Sequence, residues 1–169
     1  MRKGASIAML ISCVVGQKAV KVNTQFADMD AIMKDGGYDW EAYKTKTEDG
    51  WYLNLFRVMG KKGQWDNATN DKLPILVFHG ATGDATGMAG AGHFLKLVDA
   101  GYEVWFGDNR GNYYSNEHEK NGSWGSLRER WDFSWADMGL YDVPAFLDAV
   151  IEVNGKPKVT VIGYSQGTS

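Results

Sequence analysis

A single cysteine in 169 residues excludes an internal disulfide and any cysteine-based zinc site. No HExxH or comparable spacing of histidines and carboxylates is present, so the sequence asks for no metal and no other cofactor. The net charge is −3 and no block of Lys and Arg stands out. That argues against a nucleic-acid partner, because phosphate contacts need clustered cations. Internal repeats and low-complexity tracts are missing too. A composition of 44% apolar and 23% charged residues excludes wholesale disorder and describes a globular chain of one domain.

The longest apolar stretch is short. Arg2 and Lys3 precede an apolar run from Ala5 to Gly16, after which Gln17 and Lys18 restore polarity. A transmembrane span needs about 20 apolar residues, so no span is expected. A basic start, this run and small residues at Val14 and Gly16 predict a secretory signal peptide over 1–16. The mature chain would then begin at Gln17 and lose Cys13, its only thiol. A buried N-terminal helix is the alternative. Secretion would give meaning to two N-glycosylation sequons, at Asn67 and Asn121, both in polar, turn-rich stretches.

From residue 17 to 169 the pattern is that of an α/β domain. Glu41–Thr47 and Trp51–Met59 flank the turn signal Glu48-Asp49-Gly50 and predict a β-hairpin. Pro74–Phe78, Tyr102–Phe106 and Lys158–Ile162 are short continuous apolar runs, as in strands buried on both faces. Gly87–Ala100 predicts a helix stopped by Gly101. Asp108 to about Ser134 reads as a long loop. Residues 135–153 predict helix in two pieces, with Pro144 in the first turn of the second and Asp142 as its cap. Strands alternating with helices mean a parallel sheet with right-handed crossovers.

The third of these strands runs straight into Gly163-Tyr164-Ser165-Gln166-Gly167. This is G-x-S-x-G at a strand end, where Gly163 and Gly167 let the backbone bend and lift the Ser165 hydroxyl to the tip of the sheet. Chance alone supplies about 0.1 such matches in a chain of this composition, so position carries more weight than pattern. A tetrahedral oxyanion needs N–H donors. Gln166, after the serine, and Ala81, in the loop that follows Pro74–Phe78, are the candidates. His79 precedes that loop and reads as a buried structural imidazole, since in this kind of fold the base arrives after the nucleophile. His93 reads as a helix-surface residue and His118 as part of a charged, solvated segment. Gly107-Asp108-Asn109-Arg110-Gly111 lacks the G-x-G-x-x-G spacing of a nucleotide loop, and Arg110 reads as an ion-pair anchor.

These residues carry a resemblance. Tyr43–Leu53, His79-Gly80, Gly101–Trp105, Gly107–Asn112, Trp131–Trp135, Asp137-Met138, Tyr141–Ala145 and Gly163–Thr168 match, in order and spacing, the acid lipase family. That family comprises the lysosomal and gastric lipases and related steryl ester hydrolases. The resemblance runs from about residue 36 to the end. It implies an α/β-hydrolase fold with Ser165 as nucleophile and Ala81 and Gln166 as oxyanion donors. The implied partner is a lipid ester at a lipid–water interface, and the implied setting is extracellular or lysosomal. Tyr164 stands where the family usually has His, and Ala81-Thr82-Gly83-Asp84 replaces an aliphatic pair.

In that family the catalytic Asp and His follow the nucleophile. Only Gln166, Gly167, Thr168 and Ser169 follow Ser165 here. The expectation is therefore the front part of a longer serine ester hydrolase, inactive alone, with an unpaired apolar sheet edge. Two readings compete with it. One is a non-catalytic lipid-binding or interaction product of a truncated gene, and the other is a peptidase or thioesterase on the same frame. Oligomeric state is not encoded in any motif found.

Overall fold

The computed structural model describes residues 18–23, 26–65, 71–123 and 131–168. The expected signal peptide, Cys13 and the Asn67 sequon lie outside them.

The hairpin forms as expected. Strand β2 (Tyr38–Lys46) pairs antiparallel with β3 (Trp51–Lys61), in register from Lys46 opposite Tyr52. Thr47 closes the turn: its N–H donates to the Trp51 carbonyl at 2.8 Å, and its hydroxyl accepts the Trp51 N–H at 2.8 Å. A short strand, β1 (Val20–Val22), adds to the outer side of β2. Next to β3 lies not the following strand, β4 (Pro74–Phe78), but β5 (Glu103–Asp108), antiparallel to β3. Strand β4 sits between β5 and β8 (Thr160–Gly163), parallel to both. The path is β1-β2-β3-β5-β4-β8, a mixed sheet whose parallel half is the one the apolar runs predicted.

Both faces are covered, which is why β4 and β5 read as unbroken apolar runs. On one face Ile75, Val77, Val104 and Phe106 meet α1 (Ala27–Gly36), α2 (Ala85–Gly90) and α3 (Leu95–Asp99), through Met29, Met33, Ala89 and Val98. On the other, Leu76, Phe78 and Trp105 meet Phe146, Ala149 and Val150 of a long helix. Successive strand residues point to opposite faces, and the two clusters divide the sheet on that alternation.

Four expectations need correction. The helix over Gly87–Ala100 is two short ones, α2 and α3, broken at 91–94, where Gly92 takes φ +75°. Three glycines in six residues cost roughly 1 kcal/mol each in a helix interior, and the chain turns there instead. The long loop after β5 contains a small hairpin, β6 (Glu117–His118) with β7 (Gly122–Ser123), and β6 pairs antiparallel with the start of β3. His118 is half-buried there rather than solvated, its ring 5.3 Å from that of Trp51 and its Nε2 3.0 Å from the Asp49 carbonyl oxygen. Asn121 is exposed beside this hairpin turn.

The third correction concerns Asp142. Helix α4 (Trp135–Asp137), capped by Ser134, runs through a π-helical turn (Met138–Asp142) into α5 (Val143–Asn154), with Pro144 in its first turn. The continuous helix leaves no free N-terminus to cap. Asp142 turns instead to Arg110, accepting its Nε–H at 2.7 Å and its backbone N–H at 3.1 Å. Last, β8 is not buried on both faces: Val161 is 47% exposed and β4 is the only partner of β8 among the described residues.

Candidate active site

Strand β8 delivers Gly163 to the end of the sheet, and the ladder to β4 continues for one more bond, Tyr164 N–H to the Phe78 carbonyl at 3.1 Å. The chain then reverses. Ser165 takes φ +53°, a left-handed conformation uncommon outside glycine, and opens a 3-10 turn (Ser165–Thr168). Gly167 N–H returns to the Tyr164 carbonyl at 2.9 Å. A Cβ on Gly163 would overlap the Gly167 carbonyl group. One on Gly167 would stand 2.8 Å from the Phe78 oxygen and 2.9 Å from the His79 oxygen. Both glycines are required by close approach, and the result is a serine held on a sharp, strained bend. Its side chain is exposed.

The loop after β4 abuts this serine. A Cβ on Gly80 would lie 3.0 Å from Ser165 Cβ and 3.1 Å from the Tyr164 ring. Gly80 to Gly83 form a tight turn closed by Gly83 N–H to the Gly80 carbonyl at 3.1 Å, with Thr82 at φ +59°. Among the described residues no acceptor meets the Ala81 or Gln166 N–H. Ser165, Ala81, Gln166, Gly163 and Gly167, named from sequence, thus come together at one end of the parallel strands.

His79 is buried. Its Nε2 accepts the Asn109 N–H at 3.1 Å, which puts the ring proton on Nδ1, 2.8 Å from the Gly80 oxygen. Burial pushes the imidazole below its ordinary range. A neutral ring with both nitrogens engaged holds the loop and has no free position from which to serve Ser165 as a base. Arg110 is the anchor expected of it: its guanidinium forks onto Asp49 at 2.6 and 2.8 Å while Nε holds Asp142.

Sequence reasoning passed over the polar residues that brace the Gly80–Gly83 turn. Asp108 Oδ1 accepts the Ala85 N–H at 3.1 Å, and Asn112 Nδ2 donates to the Gly83 carbonyl at 2.6 Å. Their signal was the density of Asp and Asn in Gly107–Asn112, directly after a buried strand.

A cavity of about 370 Å³ adjoins the bend, lined by Phe78, Met138, Val143, Val161 and Gln166 among others, but not by Ser165. Among the described residues no cluster of His, Cys, Asp and Glu could hold a metal ion, and no helix is long and apolar enough to cross a membrane.

Residues 73–169 match the family model described as alpha/beta hydrolase fold. The chain belongs to that family. Within this α/β-hydrolase family, residues 29–86 also match the partial alpha/beta-hydrolase lipase region. Curated relatives include lipase member M of Mus musculus, 34% identical over 85% of this chain and 34% of that protein. Lysosomal acid lipase/cholesteryl ester hydrolase of Macaca fascicularis is 33% identical over 91% of this chain and 39% of that protein. Lipase 1 of Drosophila melanogaster is 36% identical over 82% of this chain and 30% of that protein. The resemblance to acid lipases therefore holds over most of the chain, while the chain spans 30% to 39% of the length of these relatives. Among solved structures an esterase of Pyrococcus furiosus superposes with TM-score 0.58 at 21% identity, over 80% of this chain and 45% of that one. An Aspergillus niger epoxide hydrolase gives 0.51 at 14% identity, over 86% and 32%. These two speak to the fold alone. The partial coverage fits an incomplete α/β-hydrolase fold.

Proposed function

We propose that this chain is the N-terminal portion of a secreted or lysosomal serine ester hydrolase acting on neutral lipid esters, such as triacylglycerols or steryl esters. One observation carries the reading: Ser165 sits on a left-handed bend at the tip of β8, against the Gly80–Ala81 loop from the neighbouring parallel strand. The lipase and cholesteryl ester hydrolase relatives support the substrate class and the compartment.

Ser165 Oγ attacks the ester carbonyl, forming a C–O bond and a tetrahedral oxyanion that the Ala81 and Gln166 N–H groups stabilise. The carbonyl reforms, the alcohol leaves with a proton, and an acyl-enzyme remains. Water then attacks the acyl carbon and releases the acid. A serine hydroxyl needs a base to take its proton. His79 is locked in another role, and in the acid lipase pattern the base and its orienting carboxylate follow the nucleophile in chain order. Residues 1–16 direct secretion, and the exposed Asn121 sequon carries a glycan.

Reading the coding sequence past Ser169 and expressing what it encodes tests this. The full-length protein should hydrolyse 4-nitrophenyl butyrate and react with a fluorophosphonate probe at Ser165. Ser165→Ala should remove the label and lower turnover by at least about 10⁴-fold. Labelling that persists in Ser165→Ala would end the assignment.

A further inference from the structure

We infer that Asn112 is a positioning residue for ester hydrolysis: its carboxamide clamps the strained Gly80–Gly83 turn and so sets the direction of the Ala81 N–H. The inference deepens the proposed function and rests on it, because it takes Ala81 as an oxyanion donor to Ser165.

The need for a clamp comes from Thr82. A β-branched residue at φ +59° is a genuine outlier, and such strain persists only where its surroundings over-determine it. Within the turn only one backbone bond opposes relaxation, Gly83 N–H to Gly80 O, and the Thr82 hydroxyl merely reaches back to the Ala81 carbonyl at 2.7 Å. The rest comes from outside. Three groups, one at the end of β5 and two in the loop after it, grip the segment at successive points. Asn109 N–H holds His79, Asn112 Nδ2 holds the Gly83 carbonyl, and Asp108 Oδ1 holds the Ala85 N–H.

Asn112 differs from the other two grips. Its 2.6 Å bond falls on the turn itself, one peptide from Thr82, whereas the others fall at the ends of the segment. It is itself well placed to resist movement. Its Oδ1 accepts the Tyr113 N–H at 2.7 Å, its own N–H closes a turn onto the Asn109 carbonyl at 3.3 Å, and Nδ2 lies 3.3 Å from His79 Nε2. The side chain is half-buried on a loop where Arg110, two residues earlier, is pinned by two carboxylates. Strain at Thr82 is thereby held by a rigid neighbour, so the N–H that receives the oxyanion is preorganised before substrate arrives.

Three measurements on the full-length protein test the clamp. In Asn112→Ala, hydrogen exchange in peptides spanning His79–Ala85 should quicken about tenfold while the melting temperature moves little. The kcat for 4-nitrophenyl butyrate should fall roughly 10- to 100-fold with KM within about twofold, since only transition-state binding is weakened. Adding Thr82→Gly should return a large part of the lost kcat, because glycine adopts positive φ without strain and no longer needs the clamp. A merely structural asparagine would give no such rescue. Should Asn112→Ala fail to fold, Asn112→Asp carries the same test: it keeps the outline and the Tyr113 bond and removes the donor. Unchanged exchange, unchanged kcat, or a double variant slower than the single one each overturns the clamp. Absence of Ser165 labelling in the unmutated protein overturns the hydrolase reading instead, and the exchange arm still judges the clamp.

Discussion

At Gly163 a hydrogen stands where any other residue would push a methyl group into the Gly167 carbonyl. The atoms it would meet are all backbone of Gly167 and Thr168, with no flexible side chain to give way, so Gly163→Ala should cost more than about 3 kcal/mol. An unfolding free energy within about 1 kcal/mol of the parent's, from denaturant titration, would contradict the geometry. Asp108 offers a second test at this scale. Burial pushes its carboxyl up to about 7, with hydrogen bonds from the Ala85 N–H, Ser115 and Tyr114 opposing and Asp84 adding to the rise. The folded state therefore keeps a proton that the unfolded chain has released above 3.8. That difference destabilises progressively as pH rises from about 4 to about 7, and stays constant above. Asp108→Asn retains an acceptor for Ala85 and removes the titration. Its melting temperature should exceed the parent's at pH 8, with the advantage shrinking toward pH 4. The neutral His79 works in the opposite sense: its depressed value makes folding less favourable as pH falls below the ordinary imidazole range near 6.5. The two terms are separable only because one can be mutated away.

Among elements, the join between α4, the π-helical turn and α5 depends on one buried ion pair. Arg110 and Asp142 are almost wholly buried, and Asp49 completes the set from the hairpin turn, tying that turn to the sheet and to the helix. Arg110→Met would leave the fully buried Asp142 without its cation and free the half-buried Asp49. A loss of about 3–5 kcal/mol is expected, measured by urea unfolding of the full-length protein, and a neutral result would show the pair dispensable. These elements also show how far the sequence could be read. Apolar runs located β4 and β5, because strands covered on both faces leave no other choice of side chain, and they located β8 although its outer flank is exposed. The turn at Glu48-Asp49-Gly50 and Pro144 placed a hairpin and a helix start by backbone chemistry alone. Helix α1 went unread although Met29, Ile32 and Met33 follow helical spacing, because acidic and basic residues interrupt so short a stripe. The Asp142–Arg110 pair depends on partners distant in the chain, which periodicity does not encode, whereas the break at Gly92 lay in the local glycine density itself. At the site, Ser165 and its glycines were legible as a motif. Asn112 and Asp108 were not, since what they hold is visible only once the two loops meet.

For the molecule as a whole, β8 is the exposed flank. Val161 and Tyr164 are 47% and 59% exposed, and the strand offers unpaired backbone on its outer side among the described residues. The 169-residue chain expressed alone should self-associate with rising concentration in sedimentation experiments, and Val161→Lys should suppress it. It should also show no esterase turnover, for want of a base at Ser165; a signal abolished by Ser165→Ala would refute this. The strand order carries a consequence in time. Because β5 lies between β3 and β4, the inner edges of both stay unpaired until Glu103–Asp108 has been made. A ribosome adding roughly 5–20 residues per second needs seconds to reach that point after Lys61. During that interval the open rim of the nascent hairpin is a natural substrate for chaperones.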